Sequence, residues 1–393
     1  MPDTLNADAQ QPIDELLRRE LTRLGWLGVA GFAGGCFLLE LTWGWQSALQ
    51  WLVQAGLVWA FLCYQTKQRL PLNRADPKAP LYKDLGWANR VTLLRAWLIA
   101  AVAGFLFQPW PEGPALAWLP GMLYLLAAVL DRVDGFVARR TGQSSLLGIE
   151  LDTLSDALGL AIASLLAFGY EQVHWSYLLM GTAYYLFHAG ILWRNFRGLA
   201  VYPLPPALHR RAWAGFQMGF LAVVLWPMIY PPLSTLAGFA FMLPAVLGFF
   251  IDWLIVSGRI NRQADGVDRR FAQITQFSQA VLQPALRVIV VVTLVMSLLQ
   301  SGLPPLPAGN LGWMNNVMIG GFILASLMVL LGVAGRYFSL ILVSLLGWYY
   351  MTNPLLPVDY VLFCSLVWLL LLGTGRFSLW TEDDHWLNGY DGA

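Results

Sequence analysis

Residues 115–169 read ALAWLPGMLYLLAAVLDRVDGFVARRTGQSSLLGIELDTLSDALGLAIASLLAFG, two strongly apolar runs joined by a polar turn, with Asp131, Asp134, Asp152 and Asp156 set into them. Each run is long enough for a membrane-crossing helix, which needs about 20 residues. At helical periodicity Asp131, Asp134, Gly135 and Ala138 fall on one side of the first helix, and Gly148, Asp152 and Asp156 line one side of the next. Two such helices face to face would ring a pocket with acids. Unpaired carboxylates are costly in a low-dielectric site, and with no Cys or His nearby the expected partner is a hard divalent cation, Mg2+ or Mn2+ rather than zinc.

The rest of the chain has the same character. Of 393 residues, 58% are hydrophobic and 12% charged, with a positive mean hydropathy. This predicts an all-α, polytopic integral membrane protein rather than a soluble domain. The net charge of +1 says nothing about a nucleic-acid partner, no block of like charge suggests a polyanion-binding tail, and none is expected. Cys36, Cys63 and Cys364 stand singly in apolar runs and read as small hydrophobes, not as a disulfide framework or a metal knuckle.

Spans are expected near 24–42, 47–66, 89–109, 115–137, 147–169, 174–193, 212–231, 238–257, 280–300, 313–334, 337–352 and 358–374, or about twelve transmembrane helices. Lys and Arg test this layout independently. They gather at Arg18–Arg23, Lys67–Arg95, Arg132–Arg140, Arg194–Arg211, Arg259–Arg287, Arg336 and Arg376, while the alternate connectors hold none. Basic connectors face the cytoplasm, so both termini and the acidic motif are expected there, in a multi-pass protein of a bacterial inner (plasma) membrane surrounded by membrane lipids. The polar first 20 residues lack the pattern of a cleavable signal, so the first span is expected to remain.

Connector composition suggests three parts. Residues 1–84 form an N-terminal pair of spans with a linker, residues 85–258 a six-helix core, and residues 259–393 a charged loop, four further spans and a short tail. Trp and Tyr gather near span ends, as in an interfacial belt. The small-residue face Gly31-x3-Gly35 offers either packing within the chain or an oligomer contact, a homodimer among the options.

The pattern Asp131-x2-Asp134-Gly135-x2-Ala138-Arg139-x8-Gly148-x3-Asp152-x3-Asp156 resembles, at every fixed position, the signature of the CDP-alcohol phosphotransferase family. Asn89-x2-Thr92-x2-Arg95 is similar to the opening of that family's first core helix, and the resemblance covers residues 85–258. It implies a phosphatidyltransferase of phospholipid biosynthesis. CDP-diacylglycerol would donate a phosphatidyl group to the hydroxyl of a small alcohol acceptor, with CMP leaving after direct in-line attack. By the same resemblance Asp131, Asp134, Asp152 and Asp156 hold two Mg2+ or Mn2+ ions, and Asp156 also takes the proton of the attacking hydroxyl. Asn89, Thr92, Gly135, Ala138, Arg139 and Gly148 would bind the CDP moiety; the small residues let the nucleotide approach the backbone, and Arg139 can hold a phosphate bidentately.

Family members that use a phosphorylated alcohol carry basic residues where this chain has Arg194, Arg210 and Arg211, which makes these three candidates for an acceptor phosphate. They equally satisfy the positive-inside rule. The segment 280–385, with Gly332-x2-Gly335-Arg336 and Gly373-x-Gly375-Arg376, resembles the DoxX-type four-helix membrane module and brings no identifiable ligands. A cation transporter or channel is the rival class. Such proteins often duplicate their binding helices, and the acidic pattern occurs once.

Overall fold

The computed structural model describes residues 3–204, 208–260, 267–301, 312–350, 353–380 and 382. Thirteen α-helices account for most of them: α1 Asp3–Trp43, α2 Trp45–Arg69, α3 Gly86–Ala103, α4 Leu119–Thr141, α5 Leu146–Gly169, α6 Leu178–Phe196, α7 Leu208–Val224, α8 Leu233–Val256, α9 Val267–Phe277, α10 Gln283–Ser301, α11 Gly312–Leu331, α12 Gly335–Tyr350 and α13 Pro357–Leu372. Among the described residues there is no sheet, just an isolated bridge between Val333 and Trp380. The all-α expectation holds, and each of the expected spans coincides with a helix; α9 is the additional one, joined to α10 by the π-turn Ser278–Leu282.

Six helices are long and apolar enough to cross a membrane: those at Ile13–Trp43, Trp45–Leu72, Leu116–Thr141, Leu146–Gly169, Leu233–Val256 and Gln273–Ser301. Shorter apolar helices run over Trp213–Val224, Asn316–Leu331 and Pro357–Leu372. Helix α3 is absent from both groups for a physical reason. Most of its residues are buried in protein, Asn89, Thr92 and Arg95 included, so it is not selected for a lipid-facing surface.

The chain divides into two compact units. The first comprises Met1–Leu186 and Gln217–Pro227. Here α3 packs along α4, α5 and α2, and α2 pairs with α1 across a turn at Gly44, whose φ of 87° suits glycine. Helix α1 begins well before the expected span and places Leu17 and Leu21 in an apolar cluster with Leu70, Leu85, Leu93, Leu147 and Leu151. The same helix contributes Glu20, which accepts from the Leu85 backbone N–H at 3.0 Å and pairs with Arg90 at 2.7 Å. The polar N-terminal segment therefore anchors the start of α3.

Three tryptophans lock helices together. The indole N–H of Trp51 donates to Ala101 at 2.9 Å, that of Trp59 to Gly25 at 3.0 Å, and that of Trp97 to Gly28 at 3.0 Å. A Cβ on Gly31 would come within 2.9 Å of Trp97, and one on Gly35 within 2.9 Å of Trp51. The small-residue face of α1 is thus filled from within the chain.

The second unit comprises Phe187–Phe216 and Met228–Ala393. Its centre is α10 against α13, with α12 and α8 also on α13. Arg287 is buried on α10, has no carboxylate partner among the described residues, and donates to the carbonyl of Arg376 at 3.0 Å and that of Phe377 at 3.4 Å. Gln283 adds a bond to the Leu372 carbonyl at 3.1 Å, so the segment after α13 is stitched to α10.

Candidate active site

The four aspartates lie on the second half of α4 and the first half of α5. The connection between these helices is short because both ends are capped by local chemistry. Gly142 closes α4 in the left-handed conformation with φ 65°, a position that glycine tolerates best. Ser145 then starts α5, its hydroxyl accepting the Gly148 N–H at 3.0 Å.

Asn89 fixes this cap to α3. Its amide donates to Ser145 Oγ at 3.1 Å, to Asn73 Oδ1 at 3.1 Å and to the Leu85 carbonyl at 2.8 Å. A Cβ on Gly148 would sit 2.7 Å from Asn89 Oδ1, so glycine is what permits the approach. On the α4 side, the Thr92 hydroxyl lies 2.9 Å from Asp134 Oδ2 and 3.1 Å from the Ala88 carbonyl.

Between these groups opens a cleft with about 470 Å³ of empty space. Asn89, Thr92, Asp134, Gly135, Ala138, Gly148 and Asp152 all line it, with Gln143, Ser144 and Ser145 from the connection. Arg139 does not line it; it is exposed in the last turn of α4, with Nη1 3.5 Å from where a Cβ on Gly135 would stand.

Beside the cleft Asp131, Asp152 and Asp156 converge. One carboxylate oxygen from each lies within 4.8 Å of the others, and all three residues are half-buried. The four acids do not simply face one another across two adjacent helices. Helix α3 packs along both α4 and α5, and its Arg95 reaches into the trio: Nη1 is 2.8 Å from Asp131 and 2.7 Å from Asp152, and Nη2 pairs with Asp156. Asp134 stands apart from the trio, buried against Thr92. The donor set of the trio consists of hard carboxylate oxygens, which fits Mg2+ or Mn2+ better than a thiophilic ion.

Sequence reading noticed Arg95 without giving it a task, and it passed over Ser145 and Glu20. The first had a visible signal, an i, i+3, i+6 spacing with Asn89 and Thr92; the other two depend on pairings 56 and 65 positions apart. Arg194, in the second unit, donates to the Ala200 carbonyl at 2.7 Å and the Ser257 carbonyl at 3.2 Å, tying the segment after α6 to the end of α8. The side chains of Arg210 and Arg211 lie outside the described residues.

Residues 85–250, which contain the cleft and the carboxylate trio, match the family model for CDP-alcohol phosphatidyltransferase. The chain carries a CDP-alcohol phosphatidyltransferase domain. Similar proteins agree with the domain. Choline/ethanolaminephosphotransferase 2 of Arabidopsis thaliana is 37% identical over 82 residues, covering 20% of this chain and 21% of its own. The CDP-diacylglycerol–glycerol-3-phosphate 3-phosphatidyltransferase of Salmonella choleraesuis is 32% identical over 92 residues, 23% of this chain and 49% of its own. Its namesake in Pectobacterium atrosepticum is 33% identical over 97 residues, 24% of this chain and 52% of its own. The chain thus spans about half or less of the length of these curated relatives. No solved structure matches it.

Proposed function

We propose that this protein is a CDP-alcohol phosphatidyltransferase of phospholipid biosynthesis, transferring a phosphatidyl group from CDP-diacylglycerol to a small alcohol and releasing CMP. The observation that carries this reading is the juxtaposition of a polar, glycine-lined cleft with three converging carboxylates, inside the segment that matches the family. Several relatives bear the name CDP-diacylglycerol–glycerol-3-phosphate 3-phosphatidyltransferase, which favours a lipid donor of that kind and a phosphorylated acceptor.

In this reading Asp131, Asp134, Asp152 and Asp156 would hold two divalent ions, Mg2+ or Mn2+. Such ions, when bound, neutralise the pyrophosphate and stabilise its leaving oxygen. The chain's own residues do the rest. Asn89, Thr92, Gly135, Ala138 and Gly148 would cradle the CDP moiety, with Arg139 closing on a phosphate from the rim and the N-terminus of α5 adding its partial positive charge. Asp156 would take the proton of the acceptor hydroxyl as it attacks in line, with no covalent enzyme intermediate. An acceptor phosphate is assigned to Arg194, Arg210 and Arg211.

The active site and both termini are placed on the cytoplasmic side of a bacterial inner membrane, a reading supported by the alternation of basic and non-basic connectors. The proposed division is an N-terminal pair of spans over residues 1–84, a catalytic core over 85–258 and a C-terminal extension over 259–393. The decisive experiment supplies the purified full chain in lipid nanodiscs with CDP-diacylglycerol, Mn2+ and alcohols one at a time, glycerol 3-phosphate and inositol phosphate first, and measures CMP. Release that depends on both lipid and alcohol is expected. Silence with every alcohol would remove the assignment and favour cation transport.

A further inference from the structure

Arg95 occupies the place that the functional reading gives to metal. Its side chain is 2% exposed, and it meets Asp131 and Asp152 through Nη1 and Asp156 through Nη2. A guanidinium keeps its proton under all ordinary conditions, so a buried one needs acceptors around it, and anions meet its charge best. The converse holds for the acids: three carboxylates whose oxygens lie within 4.8 Å repel one another unless a cation stands among them. Arg95 reaches all three at once because its fork is planar and offers several donors; an ammonium would serve them less well.

We infer that Arg95 is the resident counterion of this centre, holding the three aspartates together in the metal-free protein and competing with divalent cations for the same carboxylates. The inference rests on the proposed metal site and goes beyond it. Each carboxylate that Arg95 engages is one that the proposed ions would share. A fixed cation beside a carboxylate disfavours a second cation there, on the scale of one to three decades known for protons. The arrangement is also incomplete. Arg95 Nε is buried with no partner, so the guanidinium is not saturated by the aspartates. It is suited to exchange them for another anion, and a nucleotide diphosphate entering the cleft is an anion of the right kind. Arg95 is on this account a positioning residue, acting through the aspartates.

The test uses the full-length protein in nanodiscs, stripped of metal, in three forms: wild type, Arg95→Gln and Arg95→Lys. Mn2+ binding is followed by loss of the free-ion electron paramagnetic resonance signal, and thermal unfolding is recorded with and without Mn2+. The wild type should bind Mn2+, and Arg95→Gln should bind it at least about tenfold more tightly. The metal-free Arg95→Gln protein should melt lower than wild type, with saturating Mn2+ closing the gap. Arg95→Lys, with one charge and a shorter reach, should fall between them, and it decides the matter if Arg95→Gln does not fold. Equal or weaker Mn2+ binding by the folded variants, beside a wild type that binds, overturns the counterion role and leaves the metal site standing. Failure of the wild type to bind Mn2+ defeats the metal site itself, and the inference with it.

Discussion

Asn89 on α3 and Ser145 at the start of α5 are 56 positions apart in the chain, and the amide nitrogen of the first lies 3.1 Å from the hydroxyl of the second. The hydroxyl in turn accepts the Gly148 N–H. One buried link therefore sets both the helix start and the floor of the cleft. Ser145→Ala should destabilise the protein by about 1 kcal/mol, the usual loss for an N-cap. Asn89→Ala should cost more, about 1–3 kcal/mol, because it strands buried partners. Thermal unfolding in nanodiscs measures both.

Gly148→Ala places a methyl 2.7 Å from Asn89 Oδ1 and must push that side chain aside. The expected outcome is a rise in KM for CDP-diacylglycerol with a smaller change in kcat, since the cradle is disturbed while the carboxylates are not. A variant with unaltered KM would show that the approach of Asn89 to α5 has no bearing on donor binding.

Asp156→Asn removes the assigned base and one metal ligand with little change in volume. CMP release should fall by about 10²–10⁴-fold, the range for loss of a positioned proton acceptor. Chelation of divalent ions should abolish release in the wild type, with Mg2+ or Mn2+ restoring it. Activity of Asp156→Asn within a few-fold of wild type would dismiss the assignment.

Glu20 binds the Leu85 N–H and Arg90 at the entrance of α3, and the pair is mostly shielded from water. Glu20→Ala should lower stability by about 1.5–3 kcal/mol, the range for hydrogen bonds to a charged group. Limited proteolysis of the segment before α3, together with the melting temperature, reports the loss.

Periodicity and apolar run length sufficed for the helices, because a span needs a nearly unbroken apolar stretch and the acidic pattern repeats at helical intervals. The convergence of Asp131, Asp152 and Asp156 was legible for the same reason: i, i+4 on α5 and a matching stripe on α4. What could not be read was the third party. Local spacing says nothing about a helix inserted along both neighbours, so the pairing of Arg95 with acids 57 and 61 positions away stayed hidden. The packing of Trp51, Trp59 and Trp97 stayed hidden on similar grounds. The same indole suits a lipid interface or a glycine-lined groove, and the partner glycines of Trp51, Trp59 and Trp97 lie on another helix.

The grip of those indoles on α1 and α3 bears on how the protein is dissected. A fragment trimmed to the family-matched region would expose the ring of Trp97, strip Leu17, Leu21 and Leu70 from the leucine cluster and discard Glu20. The family-matched segment is a recognisable module on paper, yet its foundations extend upstream of its boundary. Transplanting it between proteins, or expressing it alone, therefore calls for carrying the first two helices along as part of the working unit.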